Sequence, residues 1–290
     1  MITDYLIAFL IYTAIYAIIV MSFNLAWGFT GLVNLGHMVF FGIGAYTSAL
    51  LTLNGVPWYL ALPIAGILAA LAGAIIASIT VRLKGDYFQI VTLGLVFTAI
   101  TISRNWISLT RGALGLPGVP PILKNNFYYM LFAIAAAALC AVFFYWLVNT
   151  ETGKIFQAIR DDETAAKVLG KNTYFYKVLS IAISTFFAGI AGSLFVHYIQ
   201  FVDPTIFDLE FFVVMIAMLI AGGLASIEGS VLGVFSVAIF TEFVKFQFGD
   251  FGFGWIRPDL IGALRQMLLM GIIILVLIYR PKGMFGRVDA

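Results

Sequence analysis

The residues of this chain that could do chemistry lie mainly in one polar segment, residues 150–177. Five of its side chains are Lys or Arg, and Asp161, Asp162 and Glu163 stand together near its centre. Such groups can form ion pairs or hydrogen bonds with a partner surface. Elsewhere the two histidines and the one cysteine are far apart, and no Ser/His/Asp, Cys/His or metal-ligand pattern occurs. The sequence therefore predicts no enzyme, no metal and no cofactor.

As a helix, residues 151–170 would have two faces. The apolar side chains that share one face are Ile155, Ile159, Ala166 and Leu169. Arg160, Glu163 and Lys167 fall on another face, and Gly170 suits a helix stop. A short amphipathic helix of this kind can dock its apolar face in a groove of a partner protein. It can also lie as a solvated helix on the membrane surface, and the pattern leaves both interpretations open.

The elements that position this segment must be membrane spans. Of the 290 residues, 62% are hydrophobic and 10% are charged, against about 25% charged in ordinary soluble proteins. The 77 residues from Tyr5 to Val81 carry no formal charge, and a membrane-spanning helix needs about 20 apolar residues. The first run is kept as a span because no basic region of a signal peptide precedes it. A soluble enzyme is excluded, and no nucleic-acid partner is expected.

The apolar runs are continuous rather than alternating, which favours helices over a β-barrel. The sequence predicts an all-α polytopic membrane protein with about eight to ten transmembrane helices. The nine spans are 5–27, 32–53, 59–81, 87–103, 127–149, 178–200, 211–225, 231–247 and 262–279. Residues 1–290 then form a single transmembrane domain with one large loop, 150–177. The glycine-rich stretch 24–46 permits a broken or re-entrant helix.

Lys and Arg residues in short loops indicate which side of the membrane is cytoplasmic. Threading the nine spans puts the 150–177 loop, the 82–86 turn and the carboxyl tail on one side, and all three carry basic residues. The opposing 104–126 loop is also basic, which weakens the asymmetry without reversing it. We expect a cytoplasmic carboxyl terminus, and an outside amino terminus for an odd number of spans.

Several motifs, in order along the chain, resemble one family of proteins. The sequence Ala165-Ala166-Lys-Val-Leu-Gly170, with Glu163 just ahead, resembles the EAA-type coupling segment of bacterial ABC importer permeases. The stretches that more narrowly resemble the branched-chain amino-acid permease family, LivM type, are Asn24–Tyr46, Thr152–Glu163, Phe186–Gly192, Gly222–Gly233 and Tyr279–Phe285. Thr164 separates Glu163 from the two alanines and the closing Leu-Pro is absent. These departures concern the general motif more than the family.

The resemblance implies the permease subunit of an ATP-driven importer in the cytoplasmic (inner) membrane of a prokaryote. The implied partners are a second, similar membrane subunit, two ATP-binding cassette subunits and a periplasmic or extracellular substrate-binding protein. The implied substrate is a branched-chain or other apolar amino acid, with urea or short amides as the alternative. The residues that would contact the ATPase are Ile155, Ile159, Arg160, Asp161, Glu163, Ala165, Ala166, Leu169 and Gly170. Glu228 would be a second contact or a cap of the following helix.

The energy source is limited by two further observations. The sequence contains no G-x-x-x-x-G-K-[ST] phosphate loop, so the energy must come from another polypeptide or from an ion gradient. An ion-coupled carrier needs ionisable groups inside the membrane, and His37 alone lies far from a predicted membrane edge. A carrier or channel that acts alone is therefore the less favoured alternative.

The candidate residues for a translocation path are Asn24, Gly28, Gly31, Gly36, His37 and Gly42. Glycines here would permit unwound backbone whose amides and carbonyls face a zwitterionic solute. Alternatively, the glycines only let helices pack closely, and His37 bonds a backbone carbonyl at a helix contact.

Overall fold

The computed structural model describes residues 2–83, 85–249, 267–268, 270–271 and 283–286. The α-helices of these residues are Ile2–Asn24 (α1), His37–Leu53 (α2), Trp58–Thr80 (α3), Asp86–Asn105 (α4), Ile107–Thr110 (α5), Asn126–Asn149 (α6), Glu151–Asp161 (α7), Glu163–Val168 (α8), Thr173–Ile199 (α9), Leu209–Gly222 (α10) and Ile227–Gly249 (α11). A π-helical turn, Leu25–Phe29, extends α1, and 3₁₀ turns lie at Gly112–Leu114 and Pro204–Phe207. Two short strands, Leu116–Pro117 (β1) and Phe201–Val202 (β2), pair antiparallel.

Most of the predicted spans are present as long apolar helices. Five helices in the described part of the chain are long and apolar enough to cross a membrane: α1 with its π-helical turn, α3, α4, α6 and α9. The apolar helices α2 and α10 are shorter, at 17 and 14 residues. These five helices, together with α2, α10 and α11, lie where the first eight spans were predicted. The ninth predicted span, 262–279, lies almost wholly outside the described residues. The chain is an all-α polytopic membrane protein, as predicted.

The helices alternate in direction, so the connecting segments gather at two ends of the bundle. The segments at one end, which we term the loop end, are 30–33, 81–83, 150–172 and 223–226. Residues 283–286 join this end, because the Met284 and Phe285 amides donate to the Ala221 and Gly222 carbonyls at 3.1 and 2.9 Å. The opposite end holds residues 54–57, 106–125 and 200–208.

The stretch 24–46, whose glycines permit a broken helix, is interrupted at residues 30–36. Helical structure continues to Phe29, and α2 begins at His37 rather than at residue 32. His37 Nε2 lies 2.9 Å from Ser22 Oγ, and Ser22 precedes Phe29 by seven residues, or about 10 Å along a helix. The non-helical segment 30–36 therefore runs from the loop end back into the bundle.

The core is built around α9, which packs closely against α2 and α3. A Cβ atom at Gly44 would lie 2.4 Å from the Gly189 Cα, and one at Gly192 would lie 1.9 Å from the Phe41 carbonyl oxygen. Small residues at such crossings let the two backbones approach. Beside this core, α1 contacts α6, α9, α10 and α11.

A chain of hydrogen bonds secures the opposite end. His197 Nδ1 lies 2.7 Å from the Pro120 carbonyl oxygen, and its Nε2 lies 2.9 Å from Ser48 Oγ. Ser193 Oγ donates to Ser48 Oγ at 2.7 Å. Since a carbonyl only accepts, Nδ1 carries a proton and donates it to Pro120. The histidine thus ties the loop before α6 to both α2 and α9.

Candidate functional site

The predicted coupling helix, residues 151–170, is two helices rather than one. The chain turns between α7 and α8 at Asp162, which is extended with φ −155° and ψ 101°. Its Oδ1 atom accepts hydrogen bonds from Thr164 N at 2.8 Å and Ala165 N at 3.0 Å. This is a helix N-cap, for which an Asp just ahead of a Glu was the available sequence signal. Gly170, at φ +75°, follows the end of α8, as predicted for a helix stop.

The apolar face of this segment is packed inside the chain. Ile155, Ile159 and Ala166 are 8%, 4% and 2% exposed and contact one another beside Tyr176 of α9. These three side chains are already buried against their own spans, and so they do not offer the free docking face that one of the two interpretations of this helix required. The fourth predicted member, Leu169, is 76% exposed.

An exposed surface remains on α8 and just after it. Val168 is 83% exposed beside Leu169, and Ala165 is exposed on the same short helix. All three lie at the loop end, outside the spans. With the exposed Ala158 of α7, they are apolar side chains of this segment that a partner protein can reach.

Glu163 fixes α8 to the start of α9. Its carboxylate bonds Lys177 of α9, pairs with Lys167 Nζ at 2.8 Å, and accepts a hydrogen bond from Thr173 Oγ1 at 3.2 Å. Partial burial raises the pKa of Glu163, but hydrogen bonds from Lys167 and Lys177 outweigh this and lower the pKa to about 2. The carboxylate is therefore ionised at neutral pH and holds the loop in place.

Replacing Glu163 with glutamine should lower the melting temperature of the purified protein by a few degrees at pH 7. The reason is that Lys177, whose side chain is 11% exposed, loses its carboxylate partner. Because folding lowers this pKa from 4.5, the stabilisation is complete above pH 4.5 and is lost as the pH falls towards 2. Thermal unfolding of wild type and E163Q should differ at pH 7 and converge in acid.

The matched control is Glu151→Gln, which removes a carboxylate that is 88% exposed. This variant should melt with the wild type throughout, since exposed ion pairs contribute little. A difference between E163Q and wild type that stays constant from pH 7 to about pH 2 would contradict the assigned pKa.

Arg160 joins the loop to the end of the first span. Its Nη1 donates to the Gly28 carbonyl oxygen at 2.8 Å, while its Nε and Nη2 donate to Asp161 Oδ1 at 2.9 and 2.8 Å. Helix carboxyl ends leave carbonyls unsatisfied, and a cation there is favourable. A Cβ at Gly31, which has φ +76°, would lie 3.1 Å from Arg160 Cγ. The structure thus brings one predicted coupling residue, Arg160, together with two predicted path residues, Gly28 and Gly31.

Asn24 and Gly28 pack α1 against the 223–226 turn. Asn24 is fully buried; its Nδ2 donates to the Ser226 carbonyl oxygen and to Ser230 Oγ at 2.9 and 2.7 Å, and its Oδ1 accepts from Ala225 N at 3.0 Å. A Cβ at Gly28 would lie 1.9 Å from Asn24 Oδ1. In this conformation both residues hold helices together and do not face an open path.

Glu228 lies in the first turn of α11 at the loop end and is exposed. Ser226 caps this helix, because its Oγ accepts from Gly229 N at 3.0 Å. The same hydroxyl donates to Glu228 Oε2 at 3.2 Å. Ser226, and not Glu228 as the sequence suggested, is therefore the N-cap residue of α11. Glu228 accepts a hydrogen bond from the Ser226 hydroxyl and remains exposed.

The other predicted path residues are buried contacts. His37 is fully buried and meets the Ser22 hydroxyl rather than a backbone carbonyl; its Nδ1 has no hydrogen-bond partner in the described part of the chain. A Cβ at Gly36 would lie 2.5 Å from the Thr92 carbonyl oxygen, and one at Gly42 would lie 2.0 Å from the Phe207 ring. Close packing, the alternative reading of these glycines, fits this arrangement.

Among the cavities of the described residues, two lie at different ends of this packed region. One, of about 410 Å³, opens at the loop end and is lined by Gly31, Arg82, Arg160 and Glu163 among others. The second, of about 450 Å³, lies between α1, α10 and α11 towards the opposite end. This second cavity was not predicted from the sequence. The available signal was the aromatic stripe Tyr5, Phe9, Tyr12 and Tyr16 at helical spacing on α1.

The fold and site define a class of protein: a multi-pass helical membrane protein whose folded inter-span loop is hydrogen-bonded to the end of its first span. Within the described residues, no group of three or more His, Cys, Asp or Glu side chains is placed to hold a metal ion. A family model described as "Branched-chain amino acid transport system / permease component" matches residues 5–277. The chain belongs to this family, and the resemblance seen in its motifs is confirmed.

Curated relatives cover almost all of the chain. LivM, the high-affinity branched-chain amino acid transport system permease protein of Escherichia coli K12, is 30% identical over 94% of this chain and 68% of its own length. A probable LivM of Methanocaldococcus jannaschii is 25% identical over 97% of this chain and 93% of its own. LivH of Salmonella typhimurium is 23% identical over 94% and 91%. No solved structure matches the chain.

Proposed function

We propose that this chain is the membrane-spanning subunit of an ATP-driven importer of branched-chain or other apolar amino acids. Its family and the names of its relatives support this solute class. Since the sequence has no phosphate loop, ATP is hydrolysed on two separate cassette subunits. A second, similar membrane subunit completes the core, because LivM and LivH are both similar to this chain. A periplasmic or extracellular binding protein delivers the solute.

In this proposal the loop end faces the cytoplasm, where the ATPases bind. The 150–177 segment carries five basic residues, which favours the cytoplasmic side. Residues 283–286 bond the same end, so the carboxyl tail is cytoplasmic too. The protein then lies in the inner membrane of a prokaryote with its opposite end towards the binding protein.

The observation that carries the mechanism is the hydrogen bond from Arg160 to the Gly28 carbonyl. ATPase closure displaces α8, and the Glu163 bridge to Lys177 transmits that movement to α9. Arg160 transmits it to the end of α1 and to segment 30–36. Because this segment penetrates the bundle without helical structure, it is the element best able to change conformation as access alternates.

Uptake of labelled L-leucine by the complete complex tests the function. Proteoliposomes that contain this chain, its partner subunits, the binding protein and ATP should accumulate leucine, and omission of ATP should abolish accumulation. Solute flux through this chain alone would replace the proposal with a carrier or channel. ATP-dependent uptake of urea but not leucine would keep the importer and replace its solute.

A tryptophan at Ala165 should abolish co-purification of the ATPase with this chain, or reduce leucine uptake at least about tenfold, while leaving membrane insertion intact. The reason is that Ala165 is exposed on α8, beside the two exposed apolar residues that follow it. Affinity purification of the complex and uptake assays measure the two effects.

The matched change at the neighbouring alanine should act differently. Ala166 is 2% exposed and contacts Ile155 and Ile159, so Ala166→Trp should destabilise the chain itself. Normal ATPase co-purification and normal uptake in A165W would contradict the placement of the docking surface on α8.

A further inference from the structure

A cavity of about 450 Å³ between α1, α10 and α11 has no role in the packing described above. Tyr5 and Tyr16 both line it and are eleven residues apart on α1, about 17 Å along a helix. Glu210 and Met218 line it on α10, eight residues apart. The cavity therefore runs from the opposite end to about the middle of a hydrocarbon layer roughly 30 Å thick. Its volume is within the range of small-molecule sites, about 300–1,000 Å³.

One wall of the cavity is aromatic and carries hydroxyl groups. Tyr5, Phe9, Tyr12 and Tyr16 all face it from α1. Tyr12 also packs edge-on against Tyr198, with ring centroids 5.3 Å apart, so part of this wall is held rigidly by α9. Tyrosine side chains are amphipathic and suit a cavity wall that contacts both water and apolar groups. Their ring faces also attract cations.

The charged residues that line the described part of the cavity are acidic. Its described lining residues include two carboxylates, Glu210 and Glu242, and none of them is Lys, Arg or His. Glu242 accepts a hydrogen bond from the Tyr5 hydroxyl. Glu210 is exposed and forms no ion pair or side-chain hydrogen bond with the described part of the chain. A cleft lined by one sign of charge concentrates the opposite sign.

Apart from Thr13 and Thr241, whose hydroxyls donate to backbone carbonyls of their own helices, the remaining walls are aliphatic or aromatic. The apolar lining that lies farther from the opposite end than the carboxylates consists of Phe211, Val214 and Met218 of α10 and Ala238 of α11. A solute that matches both the acidic part and the apolar part of the cavity has a positively charged amino group joined to an apolar body. A neutral amide gains nothing from the carboxylates, and a carboxylate group finds no cation in the described lining and must point to the cavity mouth.

We propose that this cavity binds the ammonium group and aliphatic side chain of an amino compound entering from the opposite end. The direction of entry and the identity of the solute as an amino acid rest on the proposed function, whereas the charge preference does not. Among the solutes that the sequence left open, this chemistry selects amino acids over urea or short amides.

Thiol labelling of the assembled complex tests the charge preference. The native Cys140 is buried and is replaced by alanine, and Ala238→Cys places a thiol in the cavity wall. A trimethylammonium and a sulfonate methanethiosulfonate reagent are compared, with rates normalised to free cysteine. The cationic reagent should react about tenfold faster, and adding Glu210→Gln should reduce the ratio towards one. Equal rates, or faster reaction of the anion, would overturn the proposal.

Leu60→Cys is the matched control, because Leu60 is 48% exposed on α3 and lies outside the cavity. This thiol should show no charge preference, and Glu210→Gln should not change its rate. A preference at Leu60→Cys equal to that at Ala238→Cys would assign the effect to the surface as a whole and overturn the cavity site.

Protection of Ala238→Cys tests binding. L-leucine and isoamylamine should each slow labelling about tenfold when saturating, while 4-methylpentanoate and urea should not. If the complex imports leucine but neither amino compound protects, the site is wrong and the function stands. If the complex imports no leucine yet isoamylamine protects, the function is wrong and the site stands. Protection by 4-methylpentanoate would overturn the proposed chemistry.

Discussion

Arg160→Gln should reduce ATP-driven leucine uptake at least about tenfold while the complex still assembles. The variant loses a hydrogen bond of 2.8 Å from a guanidinium that is 15% exposed to the Gly28 carbonyl oxygen. Hydrogen bonds of charged groups contribute about 1.5–3 kcal/mol, and about 1.4 kcal/mol corresponds to a factor of ten. Uptake in proteoliposomes, measured together with ATP hydrolysis, gives the effect. Hydrolysis should persist, so that the ratio of transport to hydrolysis falls.

Two further variants show whether the fork geometry or only the charge of Arg160 matters. Lys154→Gln removes a cation on the same helix whose side chain is 68% exposed, and it should transport normally. Arg160→Lys keeps the charge but not the planar fork that holds Asp161 and Gly28 together, and it should transport at an intermediate rate. If R160Q transports leucine as well as K154Q, the Arg160 link does not carry the movement.

Hydropathy was sufficient to find the spans because the hydrocarbon core of the membrane requires apolar side chains along their whole length. The run at 127–149, for example, differs by one residue from α6, where Asn125 caps the helix by accepting from Phe127 N at 2.9 Å. For α2, however, hydropathy predicted a start at residue 32, five residues before the helix begins at His37. Over residues 32–36, Thr92 of α4 accepts a hydrogen bond from Leu35 N, and the Asn34 side chain accepts one from Gly36 N in a local turn. Neither the tertiary bond nor the local turn leaves a trace in a hydropathy profile.

The candidate site was only partly accessible from the sequence for a similar reason. The apolar pattern of Ile155 and Ile159 correctly indicated a buried face, but periodicity cannot say whether a partner or the chain's own α9 buries it. Arg160 and Gly28 are 132 residues apart, so only the fold shows that they meet. The Tyr5 to Tyr16 stripe likewise has meaning once α10 and α11 stand opposite it.

Gly192→Ala should lower the melting temperature of the purified chain by about 5 °C or more. The added Cβ would lie 1.9 Å from the Phe41 carbonyl oxygen and 3.0 Å from Ala45 N. Both neighbours are backbone atoms of α2, so no side-chain rotation can relieve the clash. The helices must move apart, and overpacking of this kind costs about 1–3 kcal/mol or more. Thermal unfolding in detergent, with a fluorescence or light-scattering readout, measures the loss.

Gly94→Ala is the same chemical change in a helix where nothing lies within 4 Å of the new Cβ. It should be neutral or stabilising, by up to about 1 kcal/mol, because glycine weakens a helix interior relative to alanine. Comparing the two variants separates two effects. Helix propensity favours alanine at both positions, whereas the α2–α9 contact disfavours it only at Gly192. If G192A melts with G94A, the two helices do not approach as closely as described. The Ser48–Ser193–His197 hydrogen bonds, which cross the same contact, would then need another arrangement.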